Sequence, residues 1–211
     1  MSRPRALVFV SGTATDIGKT WWTAAAAREL HATGATVAAR KPVQSGEPDA
    51  TTTDADVLAA ATGEDPASVC PASRTYALAW APPMAARELG RPGFTTRDLA
   101  DAITWPATVD VGLVEGVGGP RSPLSDDGDN VALAALLAPD LVVVVADAGL
   151  GAINAVRLSV AAFAGFPVVV ALNRFGDDVL HQRNLEHLVE VCDLDVVTAP
   201  RELAARICSP S

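Results

Sequence analysis

Residues 6–33 read ALVFVSGTATDIGKTWWTAAAARELHAT: an apolar run, a loop rich in glycine and threonine, and an alanine-rich stretch of helix formers. An apolar strand running through Gly-Lys-Thr into a helix is the layout of a phosphate-binding loop, usually spelled G-x-x-x-x-G-K-[ST]. Counting back from Gly18-Lys19-Thr20 puts Thr13 at the first position, with Gly12 one residue too early. Gly18 permits close approach of backbone to phosphate, and a helix starting near Lys19 points its free N–H groups at the anion. Lys19 is suited to neutralise β- and γ-phosphates, and the Thr20 hydroxyl to ligate Mg²⁺. Turn chemistry at a helix start is the plainer alternative, but a strand in front and a helix behind favour phosphate.

The alternation continues outward from this stretch. Apolar runs at 35–40, 109–116, 140–147, 167–173 and 194–199 read as further strands, and 54–63, 81–90, 129–139, 153–165 and 179–192 as helices. Strands apolar on both faces, alternating with helices, imply a parallel sheet covered on both sides. The expected fold is α/β: a single-domain, doubly wound, mostly parallel sheet of the phosphate-loop NTPase type, spanning 1–211 with a long insertion after the second strand. In such sheets ligands gather at the C-terminal ends of the strands.

Those ends carry polar residues. RKPVQSG at 40–46 offers Lys41, a second cation over a transferring group or else a solvated lysine. Asp54 and Asp56 follow, and a helix N-cap explains either one equally well. GLVEGVGG at 112–119 ends in Glu115 and then three glycines in four residues. A carboxylate there can hold Mg²⁺ facing Thr20, and glycines such as Gly118 let backbone N–H groups reach a small anion. Asn173 in ALNRF is either a turn former or an amide suited to a purine edge.

The chain has 211 residues, 49% apolar and 19% charged, with a net charge of −9. That composition fits a globular protein and argues against a nucleic-acid partner, which needs a basic footprint. The apolar run near the N-terminus is too short for a membrane span. Cys70, Cys192 and Cys208 fit no zinc or disulfide spacing, which suits a reducing, cytoplasmic setting.

Taken together, GTATDIGKT, KPVQSG, VEGVGG, GLGAIN and LNR, in this order and over about residues 6–198, resemble the ATP-dependent dethiobiotin synthetase family. That family spells its loop G-T-x-T-x-x-G-K-T, so the early glycine is a variant and not damage. The resemblance implies a ligase using CO₂, 7,8-diaminononanoate and ATP as co-substrate, with Mg²⁺ as cofactor, no membrane partner, and a homodimeric assembly. It implies that Thr15, Asp16, Ile17, Gly18, Lys19 and Thr20 bind phosphates, with Thr15 also near the carbamate and Glu115 beside the nucleotide. It implies Lys19 and Lys41 as catalytic cations, with Lys41, Ser45 and Gly118 on the substrate. Mg²⁺ falls to Thr20, Asp54 and Glu115, with Asp54 preferred to Asp56 because it opens its helix. Asn173 falls to the base, and Asn154 to the substrate carboxylate across the dimer.

Departures from the family pattern are Ala14 inside the loop, Ala155 after Asn154, PPMAA at 82–86 without a histidine, and VTAPREL at 197–203. They bear on the exact amine and on the base. Rival readings are a sister phosphate-loop ligase and a partitioning-type ATPase switch, which would need a lysine at position 14 where this chain has Ala14.

Overall fold

The computed structural model describes residues 3–208; positions 1–2 and 209–211, which the expected 1–211 domain includes, lie outside the described residues. Along the chain the elements are β1 (Ala6–Gly12), α1 (Lys19–Ala32), β2 (Val37–Arg40), β3 (Gln44–Ser45), α2 (Asp54–Thr62), α3 (Pro66–Val69), β4 (Thr75–Tyr76), α4 (Pro82–Glu88), α5 (Thr96–Ala102) and β5 (Val111–Glu115). There follow α6 (Asn130–Leu137), β6 (Leu141–Asp147), α7 (Ala152–Ala162), β7 (Val168–Asn173), α8 (Val179–Glu186), β8 (Asp195–Val197) and α9 (Pro200–Cys208).

Strand side chains alternate between two layers, as a pleated sheet buried on both faces requires. Val8, Val10, Val143 and Val145 point to one side, against Trp22 and Leu30 of α1, Leu58 of α2 and Leu203 of α9. Leu7, Phe9, Val142 and Val144 point to the other, against Leu99 of α5, Leu133 of α6 and Phe163 beyond α7. Ala24, Ala26 and Ala27 are buried and let α1 lie close on the sheet. Burying a large side chain such as Phe9 or Leu30 contributes about 1.5–3 kcal/mol.

The sheet has six strands in the order β2-β5-β1-β6-β7-β8, every pair parallel. From β1 the chain crosses outward to β2, then reverses and fills in β5 before passing to β6. That reversal puts a crevice at the C-terminal ends beside β1. The expected doubly wound α/β fold is what the chain adopts.

Some details differ from the sequence reading. The second strand begins at Val37, because the Thr36 N–H and hydroxyl are held by Asp110. The insertion holds a two-stranded parallel ribbon, β3 with β4, too short to show a period. Its helix α5 is set by a capping box in which Thr95 and Asp98 satisfy each other's backbone. The helix expected over 179–192 is α-helical to Glu186 and continues as a π turn over His187–Val191. The unforeseen α9 starts where Glu202 accepts the Thr198 and Ala199 N–H groups. Among the described residues no helix is long and apolar enough to cross a membrane.

Candidate active site

The loop between β1 and α1 explains its own spelling. A Cβ on Gly12 would lie 2.6 Å from Ile17 Cγ2 and 3.1 Å from Lys19 Cγ. The glycine is therefore needed where the chain leaves the strand beneath Ile17 and Lys19. Asp16 and Gly18 both take left-handed backbone, with φ of 56° and 95°. A Cβ on Gly18 would meet Asn173 Nδ2 at 2.2 Å. Gly18 caps α1 without any side-chain hydrogen bond, so the first amides of the helix keep the unsatisfied character that anions seek.

Behind the loop four elements deliver one polar cluster. Thr20, in the first turn of α1, has Oγ1 2.9 Å from Asp54 Oδ1 and 2.8 Å from Glu115 Oε1. Lys41, just past β2, donates from Nζ to Asp54 Oδ2 at 2.7 Å, to Glu115 Oε1 at 2.7 Å and to the Gly116 carbonyl at 3.0 Å. Thr23, one turn along α1 from Lys19, donates to Glu115 Oε2 at 2.8 Å. Lys19 curls back over the loop to the Ala14 carbonyl at 3.0 Å. Asp56, the alternative to Asp54, is spent in a capping box with Thr53 at the start of α2. The structure thus brings Asp54 to the cluster and leaves Asp56 out of it.

Burial sets the electrostatics. Glu115 is 0% and Lys41 2% exposed, so each charge needs its partners. Burial pushes the Lys41 ammonium down, but Glu115 and Asp54 outweigh it and hold Lys41 above its ordinary value. Burial likewise opposes ionisation of Asp54, yet the Lys41 charge and hydrogen bonds from Lys41 and Thr20 hold it below the usual carboxylate range. Lys19 has less compensation: burial, then the Lys41 charge, bring it down to about 8.

In front of the cluster lies a cavity of about 970 Å³, lined by Thr15, Asp16, Gly18, Lys19, Thr20, Lys41, Ser45 and Gly118 among others. Trp80, Ala81, Pro82 and Val117 give it an apolar side. Ser45 donates to the Trp80 carbonyl at 2.6 Å, joining two parts of the insertion that line the cavity. Gly118 has φ of 55°, and a Cβ there would strike Ser122 Oγ at 2.3 Å. Glu115 lies beneath the cavity and is reached through Thr20 and Lys41.

Besides Glu115, three expected residues do not line that cavity: Ile17, Asn173 and Asn154. Ile17 turns its carbonyl to Asn173 Nδ2 at 2.9 Å, so Asn173 braces the loop backbone. Asn154 stands exposed in the first turn of α7, and Gly151 caps that helix with no side-chain bond. Asn154 therefore does not cap its own helix.

Residues that the sequence reading passed over complete the frame. Asn130, fully buried, accepts from Val117 N–H at 3.1 Å and donates to the Val117 and Gly119 carbonyls, both at 2.5 Å, fixing the glycine turn. A Cβ on Gly116 would lie 2.0 Å from its Oδ1. In sequence, Asp129-Asn130 reads only as a helix start. Gln44 accepts from the Ala55 N–H at 3.0 Å and so fixes the entry to α2 beside Asp54. Thr23 carried a readable signal, three residues beyond Thr20 on a helix.

A family profile described as an AAA domain matches residues 6–199. The ATP-dependent dethiobiotin synthetase of Corynebacterium efficiens is 42% identical over 74% of this chain and 69% of its own length. That of Anaeromyxobacter dehalogenans is 38% identical over 81% of this chain and 78% of its own. That of Rhodopirellula baltica is 34% identical over 93% and 84%. Among solved structures, a putative plasmid partition protein from Borrelia burgdorferi bound to AMPPNP covers 95% of this chain and 90% of its own, with a TM-score of 0.55 at 13% identity. At that identity the likeness concerns the fold alone. The sequence relatives go further: this chain belongs to the ATP-dependent dethiobiotin synthetase family.

Proposed function

We propose that this chain, working as one phosphate-loop α/β domain, closes a cyclic urea on 7,8-diaminononanoate with CO₂ and ATP to give dethiobiotin. The observation that carries the reading is the convergence of Lys19, Thr20, Lys41, Asp54 and Glu115 behind a cavity roofed by the phosphate loop.

The chemistry asks for such a site. One amine adds to CO₂ and loses a proton, giving a carbamate. That carbamate is a poor electrophile, because nitrogen donates into its carbonyl and its oxygen is anionic. Its oxygen attacks the γ-phosphorus and ADP departs. The neighbouring amine then attacks the carbonyl carbon and phosphate leaves. No step needs a covalent enzyme intermediate, so positioning and charge neutralisation dominate. The loop amides and Lys19 hold the phosphates. Thr15, Ser45 and the Gly118 turn line the cavity where the carbamate would lie, with Lys41 as the cation beside it. The apolar wall at Trp80 and Val117 suits the aliphatic chain of the diamine.

The donor set fits Mg²⁺. The Thr20 hydroxyl has one proton yet lies within hydrogen-bond reach of two carboxylate oxygens, leaving one oxygen–oxygen contact that a cation would satisfy. Among the described residues no group of three His, Cys, Asp or Glu side chains could hold a metal by itself. Mg²⁺ commonly takes one or two carboxylates and completes its shell with phosphates and water. Thr20, Asp54 and Glu115 would hold it, and bound there it would offset phosphate charge.

Asn173 still offers Oδ1 to a base, its Nδ2 being given to the loop. Asn154, exposed and uncommitted to capping, suits a carboxylate arriving from a second copy in a cytoplasmic homodimer.

The test is a product assay with purified protein, 7,8-diaminononanoate, bicarbonate, Mg²⁺ and ATP, scored by mass spectrometry. Dethiobiotin formed in step with ADP is expected; ADP formation without any cyclic urea would overturn the reading.

A further inference from the structure

The Lys41 ammonium has three protons, and all three are spent: on Asp54 Oδ2, on Glu115 Oε1 and on the Gly116 carbonyl. As held here it has no donor for a substrate oxygen. The two carboxylates that bind it are also the two that flank the Thr20 hydroxyl. One cluster is therefore asked to hold two cations. Resting on the functional reading above, we propose that Lys41 is the cluster's stand-in cation, competing with the divalent ion for Asp54 and Glu115, so that metal loading releases its ammonium into the cavity.

Charge and burial support the competition. Glu115 is 0% exposed, and an unpaired carboxylate there would be costly. A lysine anchored next to it solves the problem while the chain folds, before any ion or nucleotide arrives. Once a divalent ion shares those oxygens, two cations meet in a site of low polarisability and repel strongly. The ammonium is the mobile partner, because it sits on a flexible four-carbon stem. Its backbone is fixed, since the Lys41 N–H donates to the Val69 carbonyl at 2.9 Å. Release therefore swings Nζ without moving the strand, and the cavity that Lys41 lines is the open direction. The lysine thus gains a free donor only when the phosphate-neutralising ion is in place, which orders the arrival of the two cations.

The experiment measures Mn²⁺ binding by electron paramagnetic resonance in the absence of nucleotide, for the wild type, Lys41→Met, Lys41→Arg and the double variant Asp54→Asn, Glu115→Gln. Removing one unit charge beside the ion should tighten Mn²⁺ in Lys41→Met by about tenfold or more. Lys41→Arg keeps the charge and should not tighten it. An unchanged or weaker affinity in Lys41→Met overturns the proposal. A wild-type site that survives the double carboxylate variant removes the metal reading itself; no site in any of these proteins overturns the competition, because the ion then needs the nucleotide's phosphates to bind.

Should Lys41→Met fail to fold, the wild type suffices. Lysine labelled with ¹⁵N at Nζ should give one slowly exchanging ammonium signal that moves or broadens as Mg²⁺ saturates the protein. A signal unaltered at saturation, with Mg²⁺ binding measured independently, contradicts the release.

Discussion

The two halves of the strand edge differ in how finished they are. At the ends of β1, β2 and β5, Thr20, Thr23, Lys41, Asp54 and Glu115 are joined into one network, with Lys41 paired to both carboxylates and Lys19 held beside it on the Ala14 carbonyl. At the ends of β6, β7 and β8, Asn173 gives its amide to the loop and Asn154 stands exposed. Around it Leu150 is 95% and Leu158 66% exposed. Buried charges must be compensated as the chain folds, so this half is assembled by the fold itself. Among the described residues the other half carries no buried charge, which suits the base and the second subunit proposed for it.

The largest effects belong to the finished half. Lys19→Ala and Lys41→Ala should each lower turnover by roughly 10²-fold or more, the scale of electrostatic groups facing transferred charge. Lys41→Ala also strands Glu115 inside the protein, which costs about 3–5 kcal/mol. Thermal unfolding must therefore accompany the rates, so that activity is read per folded molecule. A near-normal rate in folded Lys41→Ala at saturating ATP would remove Lys41 from the chemistry.

Next comes the metal. Glu115→Gln keeps the shape but loses the charge a hard cation demands, and should raise the Mg²⁺ requirement by at least about tenfold. Diamine binding should change less. A Mg²⁺ titration that superimposes on the wild type would put Glu115 outside the metal shell.

Smaller, but specific in sign, is a pH effect. Lys19 in the free protein is brought down to about 8, and phosphate binding favours its protonated form. Nucleotide affinity should be flat below that pH and fall above it by about tenfold per pH unit, because binding then takes up a proton. The fall ends where Lys19 deprotonates in the complex. Lys19→Arg should stay flat over the same range, since guanidinium keeps its charge. Parallel profiles for the two proteins would contradict the assignment.

The unfinished half is tested by mixing subunits. Lys19→Ala and Asn154→Ala, each inactive alone, should regain activity once subunits exchange: each heterodimer keeps one intact site of two, so a freely exchanged equal mixture should reach about a quarter of wild type. A mixture that exchanges and stays inactive would return Asn154 to the scaffold.

What could be read from the sequence follows the same division. The sheet was legible because its strands are apolar runs bounded by helices, and the loop because Gly-Lys-Thr follows a strand directly. Lys41 and Glu115 stood at visible strand ends. Asp54 was separated from Asp56 only through the family resemblance, since both stand in the first turn of α2 and it is the capping box with Thr53 that physically tells them apart. Asn130 was hidden because its partners are backbone atoms 11 and 13 residues away in the glycine turn, and no side-chain pattern records such contacts. The α9 segment was seen only as a departure from the family pattern, although Thr198 and Glu202 bracket its start. Asn154 remains the residue whose surroundings this single chain does not supply.

In the proposed reaction this cluster activates a carbamate oxygen by transferring phosphate to it. The direct measurement follows that oxygen. Rapid mixing of the enzyme, the diamine and ATP with freshly dissolved C¹⁸O₂ in ordinary water, quenched within a single turnover, should give inorganic phosphate carrying one ¹⁸O and a cyclic urea carrying the other. Unlabelled phosphate formed together with labelled urea would contradict it.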